Sequence, residues 1–176
     1  MSAAPDSEFH RLIRFEELDA GDIDRTIDAT QDERRALARR FNLPAIDRLR
    51  AVMRIRRVSG GPLLRVEGRL TADVKQRCVV TLAALPAHIE EDFVETFGPP
   101  GYRPTEESVD TDRPEVFDDN GIDLGELAAQ ILFVSLDPYP RAPGADAALR
   151  PYRPADDADR SRPFAALGEM LGKQRK

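Results

Sequence analysis

Residues 74–97, VKQRCVVTLAALPAHIEEDFVETF, hold the single cysteine, one of the two histidines and the sharpest change of charge in the chain. Side chains alternate along a strand, so Val74, Gln76, Cys78, Val80 and Leu82 share one side, and Lys75, Arg77, Val79 and Thr81 the other. Cys78 is thereby expected to point with the apolar set. Ala84-Leu85-Pro86 reads as a break. Beyond it Ile89, Phe93 and Phe97 share a face at helical spacing and also at strand spacing. The short connection, the Ile, Val, Thr and Phe content and the stop at Gly98-Pro99-Pro100-Gly101 favour a strand.

Working upstream, Leu64, Val66, Gly68 and Leu70 form an apolar face opposed by Arg65, Glu67, Arg69 and Thr71, and a turn is expected near Ala72-Asp73. Before the turn at Ser59-Gly60-Gly61-Pro62, residues 45–58 alternate likewise, with Ala51, Met53 and Ile55 against Arg50, Arg54 and Arg56. That Gly-Gly lacks the lysine and helix start of a phosphate loop. Thr30 and Glu33 have capping-box spacing and predict a helix to Phe41, with Leu37 and Phe41 inward and Arg34, Arg35, Arg39 and Arg40 mostly outward. Residues 9–15 read as an opening strand and residues 25–29 as a second short one.

Downstream, residues 101–120 are acidic and linker-like. Asp123 with Glu126 signals a second helix start, and Leu124, Leu127, Ala128, Ile131, Leu132 and Val134 demand burial until Asp137-Pro138 ends the helix. Residues 139–158 form a Pro- and Ala-rich loop, and Ser161-Arg162-Pro163 opens a short C-terminal helix with Phe164, Leu167 and Leu171 on one side. The expected architecture is α+β: one domain over residues 1–176, with a loop and tail over 139–176. Its antiparallel meander contains residues 51–55, 63–70 and 74–82, a capped helix lies near 31–41, and a buried helix near 123–136 packs on the sheet.

The 176 residues, 41% hydrophobic and 33% charged, suit one soluble domain, and no apolar run approaches membrane-spanning length. The N-terminus lacks the basic start and apolar core of a secretory signal, which makes the cytoplasm the expected compartment. One cysteine excludes an internal disulfide framework, and with two distant histidines it cannot build an ordinary closed zinc site from this chain's Cys and His alone. Charge is segregated within the net −6: residues 31–80 carry 13 basic and 5 acidic side chains, residues 81–126 carry 2 basic and 13 acidic. Two readings follow. The basic and acidic parts neutralise each other, or the basic face formed by Arg50, Arg54, Arg56, Arg65, Arg69, Lys75 and Arg77 meets RNA or an acidic partner.

For chemistry, a nucleophilic Cys78 needs exposure and an activating neighbour, with His88 the candidate base; a small buried core residue is the competing reading. His10 and His88 are weak metal-ligand candidates. Glu90, Glu91, Asp92 and Glu95 read as a solvated strand face rather than an acid/base pair.

Three separated pieces resemble the YceD family of large ribosomal RNA subunit accumulation proteins. They are QRCVVTLAALPAHIEEDFVETF at residues 76–97, GIDLGELAAQILFVSLDPYPRAPG at 121–144 and RPFAALGEML at 162–171. They place Cys78, Asp123, Leu124, Pro163 and Phe164 at the motif positions. Many relatives carry Cys-x-x-Cys in the first piece and a further cysteine after the proline exit, whereas this chain has Lys75 at the first position and no cysteine in 138–144, so no metal or other cofactor is expected. The resemblance implies a non-enzymatic cytoplasmic factor in 23S-type ribosomal RNA accumulation or ribosome assembly, with no catalytic residues to carry over. Its partners would be a ribosomal protein or assembly intermediate and, as a further contact, ribosomal RNA. The alternative is a cysteine-dependent hydrolase or redox enzyme using Cys78 with His88.

Overall fold

The computed structural model describes residues 7–14, 17, 21–58, 61–99, 102, 114–116 and 121–149. Its elements in chain order are β1 (Leu12–Ile13), β2 (Ile23–Asp28), α1 (Gln31–Arg40), β3 (Ala45–Arg57), β4 (Leu64–Arg77), β5 (Ala84–Gly98), β6 (Glu115–Val116), β7 (Ile122–Asp123), α2 (Leu124–Ser135) and α3 (Ala145–Leu149). The main sheet has the order β2-β3-β4-β5-β6. Its first three pairings are antiparallel, and β6 joins β5 in parallel only at Phe97 and Gly98. β1 and β7 form a separate two-stranded ribbon. The α+β class and the meander expected from alternation are therefore present.

One face of this sheet is the core. Ala51, Met53 and Ile55 of β3, Leu64, Val66, Leu70, Ala72 and Val74 of β4, and Ile89, Phe93 and Phe97 of β5 are buried together. α1 packs on β3, contributing Leu37 and Ala38, while α2 lies on β4 and β5 with Leu127, Ala128, Ile131 and Leu132. Removing each large apolar side chain from water stabilises the fold by about 1.5–3 kcal/mol, which fixes the register of a sheet in which a slip of one residue would turn every core side chain outward.

The structure corrects three boundaries. No turn occurs at Ala72-Asp73: β4 runs unbroken from Leu64 to Arg77, because Ala72 is buried opposite Ile89 and Asp73 lies opposite His88. The strand expected over residues 74–82 stops at Arg77, and the chain turns through residues 78–83, with Leu82 left-handed at φ 61°. Ala84-Leu85-Pro86, expected as a break, belongs to β5, where Pro86 pairs with Lys75. The second limb is a strand.

α1 begins with the capping box: Glu33 N–H donates to the Thr30 hydroxyl, and Thr30 N–H to the Glu33 carboxylate at 2.7 Å. At α2 the cap is Asp123, but Glu126 does not reach back to it; its carboxylate takes both Arg40 guanidinium nitrogens, at 2.6 and 2.8 Å. The opening strand is shorter than residues 9–15, being only Leu12–Ile13, and pairs with β7 rather than with the main sheet. Beyond α2 the expected loop contains the short α3. The C-terminal helix with Pro163 and Phe164, and nearly all of the acidic segment 101–120, lie outside the described residues.

Candidate interaction surface and the buried cysteine

The face of the sheet away from the core carries the arginines that alternation places there, and most of them meet a carboxylate from a neighbouring strand. Arg54 and Asp24 form a two-pronged pair, Nε to Oδ1 at 2.8 Å and Nη2 to Oδ2 at 3.1 Å. Arg69 grips Asp92 in the same way at 2.6 and 2.7 Å. Arg50 reaches Asp28 at 3.5 Å, Lys75 reaches Asp47 at 3.5 Å, and Arg56 and Arg65, opposite one another on β3 and β4, share Glu67 at 3.5 and 3.9 Å. Arg77 alone of the seven has no carboxylate within ion-pair distance among the described residues. The hydrogen bond from Arg54 holds the Asp24 carboxyl below its ordinary range, and Arg69 does the same for Asp92. Val52 and Val94 stand about half exposed on this face, beside Arg69 and Glu67 respectively. The surface expected to be basic is thus a mosaic of cross-strand ion pairs with exposed valines between them.

Cys78 occupies the other side of the molecule's chemistry. It is buried, at the first position of the hairpin turn, and its Sγ accepts N–H groups from Val80 at 3.4 Å, Thr81 at 3.3 Å and Ala142 at 3.3 Å. The Thr81 hydroxyl and then the N–H groups of Ala142, Thr81 and Val80 lower the thiol pKa to about 6, against the opposing effect of burial. Ala142 belongs to the segment leaving α2, which is tied to the hairpin again through Val79 N–H to Pro140 O at 2.9 Å and Gln76 Nε2 to Asp137 O at 2.8 Å. His88 does not meet Cys78. It projects from the opposite face of β5, where Asp73 holds its Nδ1 at 2.6 Å and raises its pKa, with Glu90 behind it.

Asp123 and Leu124 do related work at the start of α2. Asp123 Oδ1 accepts the N–H groups of Gly125, Glu126 and, from the N-terminal segment, Arg11; its Oδ2 lies 2.7 Å from His10 Nδ1. Leu124 is buried and its N–H donates to Arg11 O at 2.9 Å. Gly121 at φ 134° and Gly125 flank this clasp. A Cβ on Gly121 would strike the Ile13 carbonyl, and one on Gly125 the Phe9 carbonyl. The sequence Gly-Ile-Asp-Leu-Gly is therefore a cradle for residues 9–13.

These local structures join pieces of chain that are far apart in sequence, and a family model described as Large ribosomal RNA subunit accumulation protein YceD matches residues 66–171. The chain belongs to the YceD family. In this YceD chain the match opens within β4 and takes in the cysteine turn, β5 and all of α2, while the cradled N-terminal segment, α1 and β3 lie upstream of it. No curated protein and no solved structure matches the chain. No helix among the described residues is long and apolar enough to cross a membrane. Among the same residues no three His, Cys, Asp or Glu side chains converge as a metal-holding group.

Proposed function

We propose that this YceD protein supports large-subunit ribosomal RNA accumulation in the cytoplasm as a non-enzymatic assembly factor, holding a ribosomal protein or an assembly intermediate through the polar face of its sheet. The observation that carries this reading is the neutralised mosaic of that face. Arginines already gripped by Asp24 and Asp92 are poor anchors for bare phosphates, since each would first give up a two-pronged carboxylate. Ion pairs alternating with half-exposed Val52 and Val94 have the mixed polar and apolar character of a surface that binds protein.

The cysteine-enzyme reading has one favourable observation, the depressed thiol of Cys78. Against it stand the three backbone donors that occupy and cover the sulfur, and a His88 committed to Asp73 on the opposite face. Iodoacetamide separates the two: slow labelling of native protein and fast labelling after denaturation support the factor, and rapid native labelling at neutral pH supports the enzyme. The partner is tested by pull-down of tagged protein from its own host. Large-subunit proteins retained after ribonuclease treatment, and lost with Arg54→Glu plus Arg69→Glu, are the expected result; loss of every partner on ribonuclease treatment would reject the protein contact.

A further inference from the structure

Most of the arginines left without carboxylates gather at one end of the sheet. Among the described residues Arg14, Arg34, Arg39, Arg48 and Arg77 have no carboxylate within ion-pair distance; Arg14 stands in the N-terminal segment, and the other four lie toward one end of the sheet. Arg77 ends β4, Arg48 sits at the register shift near the start of β3, and that start pairs with the last residues of β4. β2 pairs with β3 only between Arg50 and Ile55, so α1 rather than a strand lies against the opening of β3. Between them is an open groove of about 450 Å³, with Arg34, Arg35 and Arg39 on its α1 side, Leu43 and Ile46 at its apolar base and Asp47 on its β3 side.

The acidic groups near this groove are already engaged. Asp47 is held by Lys75, Asp32 by Arg35 at 3.2 Å, and Glu33 by Arg11 at 2.8 Å. Arg34 gives one nitrogen to the Ala29 carbonyl and keeps its other donors, while Arg39 is exposed. A planar guanidinium with free N–H groups matches the paired oxygens of a phosphate, and two of them at one groove can follow successive phosphates of a strand.

We propose that the groove between α1 and the opening of β3 binds the phosphate backbone of RNA through Arg34 and Arg39. The inference rests on the assembly-factor reading and adds to it a second surface: protein on the sheet face, RNA at the α1 end. An RNA strand is favoured over an acidic peptide because the groove's mainly cationic rim recognises charge rather than side-chain shape, and because its cations point from a helix surface instead of lining an extended slot that would pair a peptide backbone.

The test is fluorescence anisotropy of a fluorescein-labelled RNA hairpin with the full chain, across a salt titration. Arg34→Gln with Arg39→Gln should weaken binding about tenfold and flatten the slope of log K against log salt by about 1 to 2, as for one or two phosphates released. Arg54→Gln with Arg69→Gln should change neither. Arg39→Gln alone, on an exposed helix position, guards against a folding artefact and should give roughly half of the change in slope. No hairpin binding by the wild type, or equal binding by the groove variants, overturns the proposal. Loss of a labelled poly-glutamate ligand but not of RNA overturns it in favour of an acidic peptide. A groove variant that still retains large-subunit proteins after ribonuclease leaves the sheet-face reading standing by itself.

Discussion

The backbone N–H of Arg11 lies 2.8 Å from the Asp123 carboxylate, which also receives the N–H groups of Gly125 and Glu126. One side chain thus caps a helix and fastens a segment more than a hundred residues away in sequence. Exposed backbone donors at a helix start are worth about 1 kcal/mol when capped, and a partly buried donor left without its acceptor costs another 1–3 kcal/mol.

Asp123→Ala should therefore lose about 2–4 kcal/mol in urea unfolding, whereas Asp123→Asn, which keeps one acceptor oxygen, should lose less. Equal losses from both would mean that the negative charge, rather than the hydrogen-bond geometry, does the fastening.

Gly125→Ala should destabilise by about 1–3 kcal/mol, since the added methyl meets the Phe9 carbonyl within a helix whose own backbone cannot yield. Elsewhere in a helix the same change is stabilising. Proteolysis of the native variant should begin in residues 7–14, and an unchanged melting temperature would contradict the cradle.

Cys78 should make stability depend on pH in a defined direction. Its folded pKa, about 6, lies below the unfolded value of about 9, so between them the unfolded chain holds the extra proton. The thiol's contribution is full above pH 9 and falls away as pH drops through about 6. The melting temperature of the wild type minus that of Cys78→Ala should accordingly grow from pH 6 to pH 9; a difference flat across this window would show that the sulfur is held as a neutral thiol.

On the acid side the Arg40 pair contributes alongside the other lowered carboxylates, Asp24, Glu33 and Asp92. The hydrogen bond from Arg40 lowers the Glu126 pKa, so the pair's contribution is full above the usual carboxylate range and is lost as pH falls through the depressed value. Glu126→Gln should lower the melting temperature at pH 7 and differ little from wild type in strong acid. A constant gap at both pH values would remove the ion pair from the account.

Alternation made β3 and most of β4 legible, because a sheet with one buried face writes its period into the sequence. The end of β4 was not legible. Val79, Val80 and Thr81 favour strands, yet the sulfur of Cys78 collects the N–H groups of Val80 and Thr81, Val79 N–H goes to Pro140 O, and Leu82 turns left-handed, a tertiary arrangement stronger than local preference. Ala72-Asp73 has turn composition, but Asp73 is met across the sheet by His88, a partner supplied by the other strand. The arginines of the candidate face were visible at their positions. Their neutralisation was not, since Asp24 stands 30 residues from Arg54 and Asp92 23 residues from Arg69. For the same reason the α1 arginines read simply as solvent-facing, although which of them lack a carboxylate is decided by folding.

β5 receives β6 only at Phe97 and Gly98, so among the described residues the outer backbone from Ala84 to Thr96 is a long strand margin with no neighbour. Such a margin templates polymerisation between copies unless something repels them. Pro86 removes one donor, and Glu90, Glu91, Asp92 and Glu95 follow it along the same strand, with Glu91 exposed even though it points toward the core side between Ile89 and Phe93. Two copies meeting margin to margin would bring Glu90 and Glu91 of each together, and the Coulomb cost opposes that contact. Glu90→Gln with Glu91→Gln removes that guard, so concentrated stocks of the variant should form β-rich, thioflavin-positive aggregates that wild-type stocks do not.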